Sequence, residues 1–179
     1  TSASSSRTAR SSSARKIPTS ALYVARVIRL ERLGEQHVGV LGPLAEDPDV
    51  RRFTRLPVPA TPEARREWLG RYEAGRLDGT REAFAVVDAE TGETVGLALA
   101  FGIDPERRSA ELGYAVVPQA RGRGVATTAL AELTEWALAE LDAPRLELRI
   151  DAHNHASKRV AERCGYAFER LDDVEVWSR

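Results

Sequence analysis

The sequence predicts an α/β (α+β) domain, a mixed and mainly antiparallel sheet of about seven strands flanked by about four helices. Three observations carry that expectation. The middle of the chain reads as three successive strands, FAVVD, VGLALAF and ELGYAVV, joined by short polar segments that suit antiparallel pairing. A helical period then runs from about Gly122 to Leu141 and delivers the chain to RLELRI, the pattern of a strand–helix–strand crossover. Two further helix starts, at Thr61-Pro62-Glu63 and at Asn154, lie on either side of this centre.

In chain order, residues 1–22 form a Ser- and Arg-rich segment expected to be a flexible tail, leaving 23–179 as the folded domain. Order is expected from near Tyr23, where YVARVIRL alternates well enough for a first strand. Residues 34–53 read as a helix interrupted at Pro43 and Pro48, followed by a loop. At the next helix Thr61 can cap, Pro62 suits the first helical position and Glu63 complements the dipole. That helix carries Trp68, Leu69 and Tyr72 and should end by Gly75 or Gly79. AETGE makes a hairpin of the next two strands, DPERRS leads to the third, and Pro118 ends it. Ala126, Leu130, Leu133, Ala137, Leu138 and Leu141 then follow helical spacing until Pro144 stops the helix. After RLELRI, Asn154 caps a last helix that Gly165 ends, and YAFERL and VEVWS are two short closing strands.

With 179 residues, 42% of them apolar, and a net charge of −1, the chain is an ordinary globular protein able to bury a core. No run approaches the ~18 apolar residues of a membrane helix, and no apolar stretch follows the basic N-terminus as in a secretory signal. A cytoplasmic protein without membrane contact is therefore expected. One cysteine, Cys164, leaves no internal disulfide, and three histidines without paired-ligand spacing give no reason to expect a metal. Arg7, Arg10, Arg15 and Lys16 could make a nucleic-acid-binding arm or belong to a plain flexible tail. The remainder is acidic and offers no surface for phosphate backbones, so nucleic acid is not an expected partner.

The most informative segment is VVPQARGRGVATTAL, a strand running into a helix through a glycine loop. Gly122 and Gly124 let the backbone approach a ligand, and the amides of a helix start form an anion cradle suited to a pyrophosphate. Arg121 and Arg123 add positive charge beside it. A Walker loop is absent, and the dinucleotide pattern G-x-G-x-x-G fails because Thr127 stands where its third glycine belongs. What does fit is R-x-x-G-x-A, spelled by residues 121–126.

That pattern resembles the acetyl-CoA pyrophosphate loop of the GNAT superfamily. The succession AELGYAVVPQARGRGVATTAL, RLELRI, NHASKRVAERCGYAFE resembles its branch of ribosomal-protein N-terminal (alanine/serine) acetyltransferases. The likeness runs from about Tyr23 to Arg179 and takes in DPDVRRF and TPEARREWL; Asn154, Ser157, Gly165 and Tyr166 match N-x-x-S…G-[YF]. It implies the GNAT acyl-CoA N-acyltransferase fold and direct acetyl transfer from acetyl-CoA to a primary amine, with no metal and no covalent enzyme intermediate. The acceptor would be a protein or peptide N-terminus or a small-molecule amine, and a homodimer is left open. Arg121, Gly122, Arg123, Gly124, Val125, Ala126 and Thr127 would hold the cofactor's pyrophosphate, while backbone groups of Val116 and Val117, with Asn154, would meet the pantetheine.

Such a transfer needs an uncharged nucleophile, stabilisation of the oxygen that becomes negative, and a donor for the departing sulfur. Glu111 is the candidate base. By alternation it shares a strand face with Gly113 and Ala115, and the preceding strand also has a small-residue face, Gly96, Ala98 and Ala100, which together suggest an open floor for substrate. An exposed strand glutamate is the alternative. Ser157 is the candidate donor, on a helical stripe with Val160, Ala161 and Cys164; a serine filling the first turn is the other reading. Many GNAT enzymes use a tyrosine one turn further along, where this chain has Ala161. Cys164 reads as packing, and His153 and His155 as surface residues. A different class of function, a non-catalytic acyl-CoA sensor or scaffold, would bind the cofactor without turnover.

Overall fold

The structure, a computed structural model, describes residues 27–179. The expected tail and the start of the expected first strand at Tyr23 lie outside those residues. Strand β1 covers Ile28–Arg32. A 3₁₀ turn, Glu35–Val40, runs directly into α1, Leu41–Glu46, and α2 follows at Pro48–Phe53. The single interrupted helix expected here is thus broken only at Pro48. Pro43 sits in the first turn of α1, where its missing N–H has no helical partner to lose. Asp47 starts α2 afresh, its carboxylate accepting the Val50 N–H at 2.8 Å.

Helix α3, Pro62–Leu77, starts as its sequence suggested: Thr61 accepts the Ala64 N–H at 3.2 Å and Pro62 takes the first position. The central meander is β2, Arg81–Asp88, β3, Thr94–Asp104, and β4, Ser109–Val116. Helix α4, Val125–Glu140, crosses to β5, Arg145–Ile150, which pairs parallel to β4. Helix α5 covers His155–Arg163, and β6, Ala167–Leu171, and β7, Glu175–Ser178, close the chain. The seven strands make one sheet in the order β1-β2-β3-β4-β5-β7-β6, with β4–β5 its parallel pair. Among the described residues five α-helices flank it rather than four, because residues 41–53 make two.

The core lies on both sheet faces. Leu130, Leu133 and Ala137 of α4 are fully buried, each leucine worth about 1.5–3 kcal/mol of apolar burial. Leu138, expected on that stripe, is 42% exposed instead. Phe84 of β2 meets Trp136 of α4 edge-on at 5.0 Å, which marks one face as the α4 side. On the other face the Arg81 guanidinium lies over the Tyr72 ring of α3, 5.8 Å from its centre.

Strand register decides which side chains share a face. Phe101 pairs with Glu111, Leu99 with Gly113 and Leu97 with Ala115, whereas Ala98 pairs with Tyr114 and Ala100 with Leu112. The small residues of β3 and of β4 therefore lie on opposite faces. The shared open floor expected from the two strands does not form. Each small residue instead faces a large one, and a Cβ on Gly113 would come within 3.3 Å of the Phe101 ring.

Candidate active site

β4 and β5 pair only from Ser109↔Arg145 to Glu111↔Glu147. Beyond Glu111 β4 stays paired to β3 as far as Val116, so the sheet opens on its β5 side. The Val117 N–H bonds the Val95 carbonyl at 2.9 Å. Backbone groups alternate along a strand, so the N–H groups of Tyr114 and Val116 turn toward β5 and the gap. The Val116 carbonyl accepts Arg121 Nε at 3.0 Å, which leaves its amide as the available group. Val117 is different: its N–H donates to the Val95 carbonyl and its own carbonyl already accepts from Ala120.

The glycine loop sits at the mouth of this opening. Gly122 and Gly124 have φ of +76° and +80°, left-handed values that side chains rarely adopt, and the space beside both is clear. Gly124 begins α4 without a side-chain cap. The first helical bond of this end is Thr128 N–H to the Gly124 carbonyl, so the amides of Val125, Ala126 and Thr127 have no helical acceptor. With the dipole behind them they suit a phosphate. A cleft of about 390 Å³ joins this loop to Tyr114, Ala115 and Val116, to α2, and to Asn154 and Ser157 of the α5 turn.

The two arginines of the loop each pair with a carboxylate. Arg121 contacts the buried Asp47 through both terminal nitrogens at 3.1 Å, with Asp49 at 3.9 Å. Arg123 donates to Asp88 at 3.0 Å. Both guanidinium charges are thus paired with carboxylates of the fold, and Arg121 also lines the cleft. Arg121 clamps α2 to the end of β4.

Asn154 accepts the Ser157 N–H at 3.1 Å and caps α5, and both residues line the cleft. Ala161 and Cys164 are buried on the same stripe. Burial pushes the Cys164 thiol up despite Arg179 nearby, and its Sγ donates to the Thr127 carbonyl at 3.4 Å, a packing role rather than a nucleophile's.

Glu111 is not in that cleft. It stands at the apex of the opening, the last β4 residue paired to β5, on the face opposite Tyr114. Burial raises its carboxyl to about 7, against the pull of Arg149 and Arg55 and with a smaller push from Glu147 and Asp173. A half-buried carboxylate on one face and the cleft beside the glycine loop on the other thus meet where two strands part. Sequence reasoning did not find the cleft wall of α2, Arg149 beside Glu111 or the place of Tyr114. Each depends on contacts between distant segments, for which no local pattern exists.

A parted parallel strand pair with a bare helix N-terminus at its mouth defines the acyl-CoA-dependent N-acyltransferase class. The chain belongs to the GNAT family: it matches the family described as Acetyltransferase (GNAT) domain over residues 28–167. It is 31% identical, over 80% of its length and 72% of the relative's, to a Bacillus subtilis protein provisionally named ribosomal N-acetyltransferase YdaF. Among solved structures it resembles Mycobacterium smegmatis RimJ with CoA-disulfide (TM-score 0.75, 18% identity, 84% of this chain and 79% of that one). It also resembles the RimL ribosomal L7/L12 α-N-protein acetyltransferase with CoA (0.73, 20%, 87% and 95%). A third likeness is to Vibrio cholerae spermidine N-acetyltransferase with CoA and spermine (0.69, 19%, 85% and 93%). The chain is an acyltransferase, an N-acetyltransferase that uses acetyl-CoA. Among its described residues no helix is long and apolar enough to cross a membrane.

Proposed function

We propose that this enzyme acetylates the α-amino group of a protein or peptide N-terminus, with Glu111 as the base. The observation that carries the reading is Glu111 itself, at the strand apex with a carboxyl raised to about 7. An α-ammonium of pKa ~7.8 gives its proton to such a base at a cost of about 1 kcal/mol. A lysine- or polyamine-like ammonium at ~10.4 costs about 4.6 kcal/mol. The base is thus matched to a peptide N-terminus. Arg149 and Arg55 near Glu111 also disfavour a polycation as acceptor. The ribosomal name of the B. subtilis relative points the same way.

In this reading the loop amides and the α4 dipole hold the pyrophosphate of acetyl-CoA, which supplies the activated acetyl group. The Val116 N–H, turned into the gap, donates to the acetyl oxygen as it becomes negative. Glu111, directly or through a water, takes the proton from the attacking amine. Ser157, on the cleft side, donates toward the departing sulfur. Asn154 holds the turn that presents Ser157.

The test is acetyl-CoA-dependent thiol release with peptides beginning in Ser or Ala, the same peptides formylated at the N-terminus, lysine-containing peptides and spermidine. Free N-terminal peptides should give the highest kcat/KM, and formylation should abolish acetylation. Preferred turnover of spermidine or lysine would overturn the acceptor assignment. An acetyl-CoA thermal shift without thiol release on any amine would favour a sensor or scaffold.

A further inference from the structure

Tyr114 lies on the α4 face of β4 opposite Ala98, whose short side chain leaves room beside its ring. It lines the same cleft as Ser157, Val160 and the loop glycines. Its hydroxyl is buried beside that of Ser157 and forms no hydrogen bond of good geometry. Such a group costs stability that phenylalanine would avoid. The Ser157 N–H is held by Asn154, which fixes the first turn of α5 and leaves the serine hydroxyl free to turn. Burial raises the phenol to about 12, the Ser157 hydroxyl beside it pulling the other way, so Tyr114 stays a neutral O–H donor throughout the working range.

We propose that Tyr114 is a positioning residue for acetyl transfer: during transfer its O–H turns to donate to Ser157 Oγ and so aims the Ser157 O–H at the departing sulfur. This rests on the mechanism proposed above. In that step the C–N bond to the acceptor has formed and the acetyl C–S bond breaks, its electron pair staying on sulfur. Glu111 passes the amine's proton to water. A thiolate whose thiol has pKa ~8.5 cannot strip a phenol near 12, so Tyr114 keeps its proton and acts through hydrogen bonding. Ser157, polarised by the bond it accepts, becomes a better donor to the negative sulfur. The sulfur is protonated by water on release.

The experiment compares Tyr114→Phe, Ser157→Ala and the double variant with the wild type. It reads the Tm of the unliganded protein, the acetyl-CoA-induced shift in Tm, and kcat and KM. Tyr114→Phe should leave the unliganded Tm unchanged or raised, keep the acetyl-CoA shift, and lower kcat by ~10-fold or less. In the Ser157→Ala background it should cost nothing further. Equal losses in both backgrounds would mean that the phenol acts without Ser157 and would overturn the proposal. So would a lowered unliganded Tm, which means a structural partner, or a loss confined to cofactor binding. Wild-type protein inert toward every amine would overturn the transfer mechanism and this role with it, whereas an active wild type with additive losses removes only the role of Tyr114.

Discussion

Replacing Glu111 with glutamine tests stability and catalysis in one variant. Burial raises the Glu111 carboxyl from 4.5 to about 7, so the folded state holds this proton more tightly than the unfolded chain. For a raised pKa the associated stability is complete below the unfolded value and is lost as pH rises through the folded one. The window is thus from 4.5 to about 7. At ~1.36 kcal/mol per unit the full loss would be about 3.4 kcal/mol, which partial solvent access reduces to about 1–2 kcal/mol. Glutamine carries no charge at any pH. Glu111→Gln should melt with the wild type at pH 4.5 and ~3–6 °C above it at pH 8. In thiol-release assays its kcat/KM should fall ~10²-fold or more at neutral pH, the gap narrowing toward the acceptor's own pKa, where solvent supplies free amine. Wild-type kcat/KM should rise through pH ~7 as the carboxyl ionises. Melting curves that coincide from pH 4.5 to 8 would show that Glu111 is not desolvated. A pH-independent activity deficit, or weakened acetyl-CoA binding as the main effect, would remove it from the base role.

Ser157→Ala should lower kcat by ~10-fold without recovery at high pH, a milder loss because a CoA-like thiolate of pKa ~8.5 leaves fairly well unaided; a steady-state pH series reads it. At a hundred times Kd acetyl-CoA should stabilise the fold by ~2.7 kcal/mol, and Gly124→Val should abolish that shift by closing the cradle. Since φ is +80° there, the unliganded Tm of Gly124→Val is expected to fall as well, and circular dichroism should show a folded protein. An undiminished acetyl-CoA shift would contradict the loop assignment. Arg121→Ala should lose about 1 kcal/mol of stability by freeing α2, while reducing acetyl-CoA affinity far less than Gly124→Val.

The parts of the fold that depend on near neighbours in sequence are legible in the sequence itself. Thr61, Pro62 and Asn154 act within a turn of themselves, and the structure gives them the capping roles their chemistry suggests. The strand–helix–strand crossover at the glycine loop was readable for the same reason, since its glycines and helical period are contiguous. Register was not. Alternation tells which residues of one strand share a face, but a one-residue offset between strands reverses which faces coincide. Alternation alone therefore groups the small residues of β3 and β4 on one floor, and the pairing of Leu99 with Gly113 separates them. The same alternation puts Tyr114 on the face away from Glu111, whereas its approach to Ser157 joins residues 43 positions apart through the packing of α5 beside β4.

Charge was the other quantity that sequence could not apportion. Two arginines interleaved with two glycines suggested guanidinium contacts to the pyrophosphate, yet Arg121 and Arg123 are paired with Asp47 and Asp88, residues 74 and 35 positions away. The pairing has a physical rationale. An arginine clamped between the Val116 carbonyl and Asp47 ties the loop, the strand end and α2 into one rigid frame, all three bordering the cleft. A frame held in place before the cofactor arrives spares the ordering cost of loose side chains on binding. In the binding mode proposed above, the amides of Val125, Ala126 and Thr127 would meet the phosphates as fixed dipoles, and such dipoles lose less to salt than free surface charges do. Acetyl-CoA affinity should therefore change little between low and physiological ionic strength. A steep salt dependence measured by calorimetry would mean that the arginines leave their carboxylates and bind the phosphates themselves.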